Sequence, residues 1–119
     1  MSKNMSEDLP CPSCGFLTCE ENYGNYNICG VCGWEDDGVQ LANPCSGGGA
    51  NSESLAEAQE KTIKEYPLSV EFSEGLKRSK NWRPLKTDEV EKYNEQKKRE
   101  HWHNEAVFYE SEAYWNQYS

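Results

Sequence analysis

Four cysteines stand at a spacing that can hold a metal ion. Cys11-Pro-Ser-Cys14-Gly and Cys29-Gly-Val-Cys32-Gly are two C-x-x-C pairs with 14 residues between them. A C-x-x-C turn aims both sulfurs at one point and directs backbone N–H groups at them. The glycine after each pair lets the chain turn back at φ > 0, which glycine alone does cheaply. Two such knuckles brought together make a tetrahedral S₄ site, the geometry of structural zinc. Iron accepts the same geometry, usually with a longer interval between pairs, so Zn²⁺ is the expected ion and iron the lesser candidate. A catalytic zinc keeps one coordination place open to water. Cys11, Cys14, Cys29 and Cys32 would close all four, and no His, Asp or Glu is placed beside them as a general base. The expected role is structural, and no enzyme is expected. Two disulfides or unrelated thiols are the competing readings, disfavoured by the doubled spacing and by a reducing, cytoplasmic setting. Cys19 and Cys45 are left over; free thiols are the plainest reading, with a redox pair or a second weak metal site as alternatives.

Trp34-Glu-Asp-Asp37-Gly follows the second knuckle directly. Trp34 is expected to cover the sulfurs. Glu35, Asp36 and Asp37 are too close together to flank a scissile bond and lack the spaced oxygen ligands of a calcium loop. They read either as a polar turn bonded to its own backbone or as an acidic contact patch for a basic partner, which the charge favours. Lys77, Arg78, Lys80, Arg83 and Lys86 surround Trp82. Basic residues with an aromatic can bind single-stranded nucleic acid by stacking, so a zinc-ribbon nucleic-acid-binding regulator using residues 77–86 is the runner-up function. The patch is short and the protein acidic, and a solvated surface is the plainer reading. His101 and His103, two apart, would not share a helix face; a His101–Glu105 surface pair is expected. The glycine run at 47–49 is no phosphate loop, because no Gly-Lys-Ser/Thr follows.

The elements that must position these residues fall into four regions. Residues 1–8 form a polar tail. Residues 9–45 hold every cysteine, with a hairpin expected between the knuckles and Tyr23-Gly-Asn-Tyr26 near its tip. Residues 46–52, rich in glycine and serine, read as a flexible linker. Residues 53–119 read as a mostly helical extension packed on the module. Ser54 and Glu57 form a capping box, and Pro67 ends the helix, so it is expected over 54–66. Residues 68–72 alternate apolar and polar like a short strand. Residues 82–85 are extended, since Pro84 disfavours helix at Arg83. A long helix is expected from 88 to 115, solvated over 90–99, with its aromatic end packing back. The fold class is α+β: a small zinc-ribbon-like module with short strands and a helical extension.

The bulk numbers agree with a stapled fold. Only 35% of the 119 residues are apolar, below the usual 45–50% or so, and a small lean core needs a staple. No apolar run marks a secretory signal or a membrane span. The net charge is −9, with −6 in residues 1–50 and −3 in residues 51–119. Such a field repels phosphates and attracts basic partners.

The run Cys-Pro-Ser-Cys-Gly-Phe-Leu-Thr, then Gly-Asn-Tyr-Asn-Ile-Cys-Gly-Val-Cys-Gly-Trp-Glu-Asp-Asp-Gly-Val-Gln, then Ala-Asn-Pro, Gly-Gly-Ala-Asn and Ser-Leu-Ala-Glu-Ala-Gln, resembles the bacterial cysteine-rich CPCC family over residues 10–65. Trp-Arg-Pro-Leu at 82–85 resembles a later family segment. The chain departs at Ser13, where the family has cysteine, so Cys11 and Cys14 carry the ligand role there. The resemblance implies a small metal-binding bacterial protein with no enzymatic activity to carry over. Related domains in toxin–immunity settings make an immunity protein or antitoxin, binding a basic toxin, the expected kind of role. The expected function is therefore a non-catalytic, zinc-stabilised protein-interaction module, with Glu35, Asp36 and Asp37 contacting a basic partner protein.

Overall fold

The computed structural model describes residues 9–19, 22–73 and 75–116; the polar tail at 1–8 lies outside them. The fold is α+β, as expected. A short antiparallel hairpin and a bridge carry the two cysteine pairs, two helices follow, and a second short hairpin precedes the last helix. Strands β1 (Leu9–Pro10) and β2 (Leu17–Cys19) pair antiparallel, with Leu9 opposite Cys19 and Pro10 opposite Leu17. The first knuckle is the turn between them. The second knuckle is closed by a bridge between Ile28 and Glu35, with the Cys29 N–H donating to the Trp34 carbonyl at 2.9 Å. The expected hairpin between the knuckles is therefore corrected: each knuckle is the tip of its own hairpin. Gly15 and Gly33 hold φ of 82° and 83°, as the turn-back requires.

Helix α1 (Gly38–Ala42) begins at Asp37, whose Oδ1 accepts from the N–H groups of Val39 (2.8 Å) and Gln40 (3.2 Å). Helix α2 (Leu55–Glu65) begins at the predicted capping box, with the Glu57 carboxylate on the Ser54 N–H at 2.9 Å and the Ser54 hydroxyl on the Glu57 N–H at 3.2 Å. Caps of this kind stabilise a helix by about 1 kcal/mol. The glycine run between the helices is not the free linker its composition suggests. It wraps around the fully buried Gln40 side chain, whose Nε2 donates to the carbonyls of Ser46 (3.1 Å), Asn51 (3.1 Å) and Glu53 (3.0 Å). Its Oε1 accepts from both nitrogens of Asn51 at 2.9 Å. The run is glycine-rich because it is crowded: a Cβ at Gly49 would lie 2.6 Å from Asp37 Oδ2.

Beyond Pro67 the expected strand over 68–72 is displaced. Val70 N–H turns back to the Pro67 carbonyl, and the strands are β3 (Phe72–Ser73) and β4 (Leu76–Lys77), paired antiparallel. The ladder continues at Arg78, which bridges to Phe16 beside the first knuckle. Residues 82–85 are extended, as expected.

Helix α3 spans Thr87–Arg99 and buries no side chain, in keeping with its predicted solvation. It stops at Arg99 and does not run to 115. The chain turns away because Asn104 is held by the first half of the molecule. Its N–H donates to Asn43 Oδ1 at 2.8 Å, and its carbonyl accepts from Asn43 Nδ2 at 2.8 Å. His101 bonds the Gly47 carbonyl through Nε2 at 2.8 Å, in place of the expected pairing with Glu105. The tail ends in two short 3₁₀ turns, Glu110–Glu112 and Tyr114–Asn116. Its aromatic end does pack back: Tyr114 and Trp115 are buried, Trp115 edge-on to Tyr23 at 6.1 Å. No helix among the described residues is long and apolar enough to cross a membrane.

Candidate metal centre

The two hairpin tips bring four sulfurs together. The Sγ atoms of Cys11, Cys14, Cys29 and Cys32 all lie within 4.8 Å of one another. Cys11 and Cys32 are 3.6 Å apart, and Cys14 and Cys29 are 3.7 Å apart. A disulfide would need about 2.05 Å, and all four are free thiols. A tetrahedron with metal–sulfur bonds of about 2.3 Å has edges of about 3.8 Å. These two separations match that edge and none exceeds 4.8 Å, so the donor set fits one tetrahedrally bound ion. Three of the four cysteines are buried and Cys32 is half-buried.

The sulfurs are hydrogen-bonded as thiolates would be. Val31 N–H and the Thr18 hydroxyl both donate to Cys29 Sγ at 3.3 Å. Donation from Cys11 holds the Cys29 thiol well below the ordinary range and lowers that of Cys32. Burial pushes the Cys11 thiol up. A divalent ion held there would displace those protons and leave all four sulfurs as thiolates.

The first knuckle is enclosed from behind. Pro12 O accepts from Gln59 Nε2 (2.9 Å) and Trp82 Nε1 (3.0 Å). Cys14 O accepts from Arg78 Nε at 2.8 Å, and Gly15 O from Ser79 N–H at 2.8 Å. The Ser13 hydroxyl meets Thr62 Oγ1 at 3.0 Å. Gln59 also holds Tyr114 and the Leu85 N–H, at 2.8 and 2.9 Å, so one amide joins α2, the extended segment and the aromatic tail. The second knuckle has no comparable cover: Gly30 and Gly33 are exposed.

The acidic run does not form a contact patch. Asp36 is 2% exposed. Its Oδ2 accepts from the Asn25 N–H at 3.0 Å, its Oδ1 has no partner among the described residues, and burial raises its pKa. Asp37 is buried too; besides capping α1, its Oδ2 accepts from Ala50 N–H at 2.9 Å. Only Glu35 remains half-exposed, with its backbone tied to the Asn51 side chain at 3.0 and 2.8 Å. Asp36 and Asp37 are bonded within the turn, as the polar-turn reading has it, and Glu35 alone of the three stays open to solvent. Charge alone favoured the other reading because burial is set by chain contacts that composition does not report. Trp34 is buried as expected, beside Cys32 and Gly33 in one small cleft.

The basic segment over 77–86 is only partly open to solvent. Trp82 and Arg78 are buried, and Arg83 forms a two-pronged pair with Glu89 at 2.8 and 2.9 Å. That leaves Lys77, Lys80 and Lys86 exposed, with Phe72, the cross-strand partner of Lys77, as the exposed aromatic beside them. Cys19 and Cys45 are buried on their own; Cys45 Sγ donates to the Val90 carbonyl at 3.5 Å. Sequence reasoning missed Arg78, Gln59 and Asn51 as the groups that brace the site. No spacing pattern marks them.

No curated protein matches the chain. The family model for cysteine-rich CPCC proteins matches residues 9–68, which takes in both knuckles, the acidic run and α2. The chain belongs to the cysteine-rich CPCC family.

Proposed function

We propose that the four cysteines hold one structural Zn²⁺ and that the chain is a non-catalytic interaction module for a basic protein, such as a cationic toxin. The observation that carries the reading is the strand entering the second knuckle. Tyr26 is 59% exposed and Ile28 is 69% exposed. Tyr26 also sits at φ 61°, a region costly for an aromatic residue. Its N–H is held by the Asp36 carbonyl at 2.9 Å, next to the Asn25 N–H on the Asp36 carboxylate. The buried acid thus fixes a strand that turns two large apolar side chains to solvent, and strain of this kind concentrates where a surface has a job. The contact residues of this reading are Tyr26, Ile28 and Glu35; Asp36 and Asp37 support them from below. The four-thiolate ligand set leaves no coordination place for water, which argues against zinc catalysis, and the net charge of −9 suits a basic partner.

The test places a photo-crosslinking amino acid at position 28 in the producing cell and identifies the product by mass spectrometry. The purified partner should be basic. Ile28→Asp should abolish its binding while zinc content stays at one per chain. Binding that survives both Ile28→Asp and Tyr26→Asp would sink the reading.

A further inference from the structure

Among the described residues, Arg78 is a buried cation with no carboxylate against it. It is 7% exposed. Its Nε donates to Cys14 O (2.8 Å), Nη1 to Pro67 O (2.7 Å) and Val70 O (3.0 Å), and Nη2 to Tyr66 O (2.9 Å). Its guanidinium carbon stands 4.7 Å from the Phe16 ring centre and 5.8 Å from that of Trp82. Among the described residues, no acid forms an ion pair with it. Neutral carbonyls satisfy its N–H groups but leave its charge uncompensated, and burying such a charge is expensive unless an opposite one is near.

The opposite charge is one residue away. Four thiolates around a divalent ion carry a net −2, which must itself be buried where Cys11 and Cys14 lie. We propose that Arg78 is the counter-cation of the tetrathiolate centre, a positioning residue that grips the Cys14 carbonyl and offsets the charge of the loaded cluster. The proposal rests on the metal-binding reading above. It goes beyond that reading because Arg78 lies outside the 9–68 stretch that the family model matches. The extension therefore supplies a working part of the centre. Donor groups behind metal ligands commonly change affinity by about 10–100-fold when removed.

The experiment uses the full chain loaded with zinc. Affinity is read by competition with a chromophoric chelator, and the pH of zinc release is read separately. Arg78→Gln should weaken zinc by roughly 10–100-fold. With up to four protons competing for the sulfurs, release should move upward by roughly 0.25–0.5 pH unit. Arg78→Lys keeps the charge and should stay within about threefold of wild type in affinity, even where the lost fork lowers thermal stability. Trp82→Phe loosens the same cover without removing charge and should move the release pH by less than Arg78→Gln does. Equal losses in Arg78→Lys and Arg78→Gln, or a Trp82→Phe shift as large as that of Arg78→Gln, would overturn the proposal. Should Arg78→Gln not fold, Arg78→Lys carries the test: a wild-type release pH supports the charge role, and a raised one refutes it. Wild-type protein that takes up no stoichiometric zinc refutes the metal reading itself, a separate outcome from any change among the variants.

Discussion

The indole of Trp82 lies directly over the α-carbon of Gly15: a Cβ built there would sit 2.3 Å from Trp82 Cε3. Gly15 is thus needed twice, for its φ of 82° and for this contact. Gly33, the equivalent residue of the second knuckle, shares the φ but has nothing within 4 Å of the same position. Gly15→Ala should cost roughly 2–4 kcal/mol, from overpacking and backbone strain together. Gly33→Ala should cost about 1–2 kcal/mol, from strain alone. Chemical denaturation of the two zinc-loaded variants checks the difference.

Metal analysis of the purified protein should return one zinc per chain. Serine at position 11, 14, 29 or 32 should each abolish stoichiometric binding, because an alcohol is a poor ligand where a thiolate stood. Cys19→Ser and Cys45→Ser should retain it, since neither sulfur joins the cluster. Zinc loss in Cys19→Ser would show that the ligand set is larger than four.

Asp37→Ala removes three hydrogen bonds at once, two to the start of α1 and one to Ala50 N–H. The lost cap and the stranded N–H together should cost roughly 2–4 kcal/mol. Asp37→Asn, which keeps an acceptor, should recover part of it. Thermal melts of the two variants decide the matter.

Asp36 gives a pH signature. Burial raises its pKa above the ordinary 3.8, so the folded state binds its proton more tightly than the unfolded state does. That contribution is fully present below pH 3.8 or so and is lost as pH rises through the folded value. Asp36→Asn should therefore gain stability relative to wild type as pH rises toward neutral, with the gap closing in acid. Zinc release is common to both proteins and cancels when they are compared at each pH.

The Arg83–Glu89 pair has the opposite sign. Hydrogen bonding to Arg83 lowers the Glu89 pKa below the ordinary 4.5. Its stabilisation is present above that value and fades as pH falls through the folded one. The pair is largely shielded, with side chains 26% and 14% exposed, and Glu89→Gln should cost about 1–2 kcal/mol at neutral pH. An unchanged melting temperature would assign the pair no net role.

What could be read from the residues was what is local. The C-x-x-C pairs carry their geometry in their own spacing, and the Ser54–Glu57 box fixes the start of α2 within four residues. The end of α3 was not legible. Nothing at Glu100 stops a helix by itself; the chain leaves because Asn43, some sixty residues earlier, claims both backbone groups of Asn104. The same limit hid Asp36, Asp37 and Arg78. A charged side chain looks like surface until the contacts that bury it are known, and those contacts come from segments 11 to 64 residues away.

The cover over the first knuckle is also late in time. Arg78 and Trp82 follow the residues they hold, Cys14 and Pro12, by 64 and 70 positions. At about 5–20 residues per second, a ribosome finishes both knuckles several seconds before it releases the side chains that enclose them. Newly made chains therefore pass through an interval in which all four sulfurs are present and the first pair is still open to solvent. Metal captured in that interval would still be open to exchange, and arrival of the downstream segment would close the cover over it.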